Sequence, residues 1–222
     1  MTTKKKALAA IIAVCLIVCL TAGASLAYLT DKTDDVTNTF TVGKVDIKLE
    51  ETNPESNTKQ ETGLTGLKLV PGDTTAKDPT VTVLKDSEAC YVRVKVVVTG
   101  VETYTHLKDD DAVKALFVQK ESPASNFVAD STVTVSGNTA TIYYYYKDSA
   151  NNDIVKSAAT DTSLGTVFDY VKCPTWVTET NAEDFGEKFT VTVTAEAIQS
   201  ASFENAGAAW SAFDTQTTTT AD

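Results

Sequence analysis

The sequence predicts an all-β fold, an antiparallel β-sandwich with one or two short helices. Three observations predict it. Apolar residues recur at every second position in several stretches, turn-forming residues separate those stretches, and helical patterning is confined to two short segments. Successive strand side chains point to opposite faces, so such alternation places one face in a core and the other in water.

The chain opens on a segment that does not belong to this fold. Lys4, Lys5 and Lys6 precede an unbroken apolar run of 14 residues, Ala7 to Leu20. A bilayer span needs about 20 apolar residues, so the run suits a signal-peptide core better than a retained anchor. Ser25-Leu26-Ala27 supplies the small residues that a signal peptidase accepts, and cleavage is expected between Ala27 and Tyr28. The expected organisation is a signal peptide at 1–27, a domain at 28–214 with an N-terminal arm at 28–37, and a disordered low-complexity tail at 215–222.

Within the domain, "NTFTVGKVDIKLEE" changes phase. Phe40 and Val42 are even-numbered, whereas Val45, Ile47 and Leu49 are odd, so Gly43 is the natural bulge or bend between two strand segments. The polar stretch from Thr52 to Gly66 reads as an exposed loop. A strand is expected at Thr80 to Leu84. In "YVRVKVVV", Val92, Val94, Val96 and Val98 share one face and leave Tyr91, Arg93 and Lys95 on the other. Asp109 to Asp111 ahead of Ala112, Val113, Leu116 and Phe117 suit a short helix start. Val133 and Val135, a Gly137-Asn138 turn and the returning Ile142 to Tyr146 form a hairpin. A last strand carries Phe189, Val191, Val193, Ala195 and Ala197 on one side. "ENAGAAWSAF" then suits a second short helix that brings Trp210 near Phe213.

Removing residues 1–27 takes away three lysines and no acidic residue, which leaves 16 basic against 30 acidic side chains in 195 residues. The formal charge becomes −14, against −11 for the whole chain. An acidic surface repels nucleic acid and anionic membrane and favours solubility. Of the four cysteines, Cys15 and Cys19 leave with the signal segment, and neither follows the small residue of a lipoprotein box. Cys90 and Cys173 remain, with two alternatives open. A disulfide between them would close a long loop and add about 4 kcal/mol in the chain-entropy model, or they stay two separate buried thiols.

No motif calls for a cofactor or a metal. The single histidine, His106, has no H-E-x-x-H around it, and no G-x-S-x-G elbow occurs. It reads as a surface or capping residue. Asp109 to Asp111 lack the spaced ligands of a calcium loop. Tyr143 to Tyr146 place two rings on each side of a strand, one pair for the core and one flanking the surface.

"GASLAYLTDKTDDVTNTFTVGKVDIKLEE", with "LVPGD" at Leu69 to Asp73, "YVRVKV", "YYYYK" and "VTAEAIQ", resembles the TasA/camelysin family of Gram-positive exported proteins. The resemblance implies a jelly-roll-like sandwich, cleavage by a SipW-type signal peptidase and a role as a fibre subunit of biofilm matrix. It further implies head-to-tail assembly with copies of itself, each giving its N-terminal arm to the next, and contact with other matrix components. The family's metallo-endopeptidase label gives a second reading that none of these residues supports. A surface module that binds glycan or protein is a third, because fold does not fix function. No cell-wall sorting motif closes the sequence.

Replacing Ala27 with leucine is expected to leave the exported chain uncut and membrane-bound. Secretion of Ala27→Leu at the mass of a chain starting at Tyr28 would refute the site.

Overall fold

The computed structural model describes residues 44–53, 56–61, 70–120, 125–178 and 188–219. The expected cleavage site Ala27–Tyr28, the arm 28–37 and the hinge at Gly43 lie outside the described residues. The described elements belong to one compact unit, Val42–Asp222. Its strands are β1 (Ile47–Asn53), β2 (Thr58–Gln60), β3 (Thr74–Ala76), β4 (Thr80–Val83) and β5 (Cys90–Thr99). A 3-10 turn at Thr105–Lys108 and helix α1 (Asp110–Lys114) follow. Next come β6 (Phe117–Val118), β7 (Phe127–Ala129), β8 (Thr134–Ser136) and β9 (Thr139–Tyr146). The remaining elements are β10 (Ile154–Val155), β11 (Thr162–Thr166), β12 (Tyr170–Lys172), β13 (Val191–Gln199) and helix α2 (Ala206–Thr219).

Every strand pair is antiparallel. One sheet runs β11-β4-β1-β2, a second runs β10-β5-β9-β7 with β13 on β5 and β8 on β9, and a third runs β3-β12-β6. Their inner side chains meet in one core, where Val81 of β4, Val94 of β5, Ile142 of β9 and Leu164 of β11 are all but sealed from solvent. The parity read from the sequence holds for β5: Val92, Val94, Val96 and Val98 are buried.

Local chemistry accounts for the corners. In "VPGD", Asp73 N donates to Val70 O at 2.9 Å, and Gly72 at φ +84° takes the left-handed third position of a type II turn after Pro71. Gly137 carries the positive φ (+53°) at the first central position of the β8–β9 hairpin, which glycine adopts without a Cβ clash. Asp109 caps α1, its side chain accepting from Ala112 N.

Several expectations change: α1 ends at Lys114 and Phe117 opens β6, and Val135 is exposed although Val133 is buried. Thr52 to Gly66 is not simply a loop: β1 continues to Asn53 and turns back into β2, with Asn57 in the left-handed region and Asn57 N donating to Asn53 O at 2.8 Å. Asparagine tolerates that backbone because its short amide bonds locally. The tail expected to be disordered from 215 is helical to Thr219, since α2 propagates beyond its last buried residues and Thr215 Oγ1 bonds Ser211 O at 2.8 Å. Finally, Tyr91 and Arg93 are not in water. They are 4% and 2% exposed because α2 lies over the outer face of β5. Among the described residues the domain is therefore mixed, antiparallel sheets with two α-helices, rather than all-β.

The ladder between β5 and β13 has a definite parity. Thr99 N donates to Thr190 O at 3.0 Å and Ser200 N to Ala89 O at 2.8 Å, so even-numbered β13 residues bond toward β5. Thr194→Pro removes one such donor, leaves a Lys95 carbonyl without a partner, and should cost about 2 kcal/mol or more. Urea denaturation measures it; an unchanged midpoint would contradict the register.

Candidate functional site

β13 is nine residues long and has one saturated edge and one open one. The odd residues Val191, Val193, Ala195 and Ala197 turn their N–H and C=O groups away from β5, and no strand among the described residues pairs there. Their side chains pack against the core while remaining partly exposed. Edge strands are usually blunted by proline, lysine or shortness. β13 has none of these, and its single charge, Glu196, is drawn to the outer face.

What draws it is Arg93, its register partner on β5. Arg93 Nε donates to Glu196 Oε2 at 2.6 Å, and the two Nη atoms bond the carboxylate of Asp214 on α2. The guanidinium carbon also lies 4.3 Å from the Tyr143 ring centroid and 4.4 Å from that of Trp210. Burial alone would weaken the guanidinium's hold on its proton, but the bonds to Asp214 and Glu196 outweigh it and raise the pKa. α2 presents Ala206, Ala209, Trp210 and Phe213, one face of a helix at i, i+3, i+4 and i+7. Asn205 starts it, accepting from Ala208 N at 2.9 Å. A groove of about 480 Å³ remains beside the helix, lined among others by Tyr91, Tyr145, Lys147, Asp153 and Trp210.

A second polar pair lies on the other side of β13. Lys77 Nζ donates to Glu51 Oε1 at 2.5 Å, with both side chains 8% exposed. Glu51 Oε2 is buried and has no partner. Both residues line a cavity of about 260 Å³ with Leu49, Gln60, Val191 and Val193, beside the open edge. Thr52 holds Asp78 through backbone and hydroxyl bonds of 2.8 and 2.7 Å, tying β1 to the segment that carries Lys77.

The residues singled out by sequence fall elsewhere. Cys90 and Cys173 are free and buried, and burial pushes the Cys90 thiol up to about 11 and raises Cys173 too. His106 is exposed on the 3-10 turn and stacks on Trp176 with centroids 4.9 Å apart. Asp109 to Asp111 form the helix start, where Asp110 also accepts from Val133 N. Ala27 and Tyr28 are outside the described residues. Tyr144 joins the core, and Tyr143 and Tyr145 lie on the outer face near Arg93 and Trp210. Among the described residues, no group of three or more His, Cys, Asp or Glu could hold a metal ion. Sequence reasoning missed Glu51, although it shares the odd parity of Ile47 and Leu49 that points inward. It also missed Lys77, for which no local signal exists.

Comparison with protein-family models, with curated proteins and with solved structures returns no match for this chain.

Arg93→Lys keeps the charge but loses the planar fork and the ring stacking, and should lower stability by about 2 kcal/mol. Asp214→Asn, at a carboxylate 54% exposed, should cost under about 1 kcal/mol. Chemical denaturation of both variants checks the ranking.

Proposed function

We propose that the chain is exported, cut between Ala27 and Tyr28, and serves as a subunit of an extracellular matrix fibre built by strand addition. The observation that carries this reading is the open edge of β13, with outward backbone groups at Val191, Val193, Ala195 and Ala197. An added strand gains main-chain hydrogen bonds along such an edge, while alternate side chains enter pockets beside it. A contact in which the arm of one copy joins the edge of the next is head-to-tail, and it propagates into a filament wherever its rotation does not close a ring. The donor is the N-terminal arm of another copy, freed when a SipW-type peptidase removes the signal segment. The sheets then form a jelly-roll-like sandwich completed by its neighbour. The acidic mature chain, at −14, keeps such subunits apart until the arms engage. The family that the N-terminal region resembles supports the same reading, as do the lysines and the apolar run ahead of Ala27.

The test exploits the parity of β13. Ala195 N–H points to the open edge, so Ala195→Pro spares the β5 ladder and removes a donor that only an arriving strand would use. The mature variant should keep its circular dichroism spectrum and remain monomeric where the parent forms filaments. A mature chain lacking Tyr28 to Val36 should behave alike. Filaments of normal abundance from either variant would refute strand addition.

A further inference from the structure

We infer that the Glu51–Lys77 cavity selects the strand that adds to β13, by receiving from a second copy one neutral side chain that both donates and accepts hydrogen bonds, a hydroxyl or a carboxamide. This inference rests on the strand-addition reading. It starts from an energetic oddity. Taking a carboxylate and an ammonium out of water costs several kcal/mol per ion, and replacing such a pair by apolar residues is often neutral or stabilising. Glu51 and Lys77 are nevertheless 6% and 7% exposed, with one carboxylate oxygen left without a partner. A buried acceptor in that state costs about 1–3 kcal/mol. Stability of the subunit therefore does not account for the pair.

The position does. The cavity has apolar walls from Leu49, Val191 and Val193, and Val191 and Val193 are among the residues whose backbone faces the open edge. A strand paired there sends alternate side chains toward the cavity side. Just beneath the cavity surface lies an acceptor, the sealed second oxygen of Glu51, and Lys77 supplies donors, because an ammonium has three and Glu51 Oε1 takes one. The last torsion of glutamate is broad, so a small rotation brings that oxygen to an incoming group. A hydroxyl or carboxamide satisfies both partners at once. A valine satisfies neither. A lysine or aspartate brings a further charge into a site where one carboxylate already faces one ammonium, and Glu61 at the rim is engaged by Lys48 at 3.5 Å.

The experiment uses the mature chain and soluble peptides of alternating valine and threonine, with one central cavity-facing position as Thr, Val or Lys. For the parent protein, the Thr peptide should bind about tenfold tighter than the Val peptide, with the Lys peptide weakest. The double variant Glu51→Met, Lys77→Met should fold at least as stably, bind the Thr and Val peptides equally, and assemble only at a higher critical concentration. Ala195→Pro should lose all three peptides. If Ala195→Pro abolishes binding while Thr and Val peptides bind the parent equally, strand addition survives and the selective cavity does not. Preference for Lys, or an unchanged Thr preference in the double variant, overturns the cavity in the same way. If no peptide binds the parent and no filaments form, strand addition fails and takes the cavity inference with it.

Discussion

A guanidinium removed from water has to recover its hydration from the protein, and the burial of Arg93 sets that requirement at the centre of this domain. Its partners come from three directions: Glu196 from the neighbouring strand, Asp214 from the C-terminal helix, and the faces of Tyr143 and Trp210. None of these contacts is local in sequence. Satisfying one side chain therefore fixes β13 against β5, and α2 against both. With Val92, Val94, Val96 and Val98 sealed on its inner side, β5 becomes the strand around which the second sheet is organised.

That arrangement gives β13 an unequal pair of edges. Toward β5 its backbone is saturated, and its glutamate is held on the outer face by Arg93. Among the described residues no strand pairs with the opposite edge, and the one charge of β13 is engaged on the outer face. A preordered edge would lose little conformational freedom in the strand addition proposed above. The cage on one side and the Glu51–Lys77 cavity on the other thus bear on the same strand: the first holds it, and the second lies where an added strand would place side chains.

Much of this was legible in local patterns. The valine parity of β5 and the row from Phe189 to Ala197 follow from the two-residue period of a strand, which is a property of the backbone alone. Asp109 as a helix cap and Gly137 at a tight turn were readable because capping and positive φ involve neighbours in the chain. The approach of Trp210 to Phe213, with centroids 5.8 Å apart, follows from helical spacing. The β1–β2 hairpin was not read. Its strands are short and polar, and the signal lay in Asn53 and Asn57 rather than in hydrophobic alternation.

By itself, then, the sequence determined β1, β4, β5, the β8–β9 hairpin and β13, with the inward faces of β5 and β13, because each depends on residues a few positions apart, whereas the short strands β2, β3, β6, β7, β10, β11 and β12 were not read from it. It also determined the acidic charge and the solitary histidine, which are simple counts. Only the tertiary structure decided that Tyr91 and Arg93 on the outer face of β5 are dry, since α2 reaches them across more than a hundred residues, with Arg93 and Asp214 121 positions apart. It likewise decided that Glu51 meets Lys77, 26 positions away, and that β13 has one edge free among the described residues. Period and propensity say which way a side chain points within its own strand. Which element comes to lie over that face, or leaves an edge uncovered, depends on contacts between distant parts of the chain that no local pattern encodes.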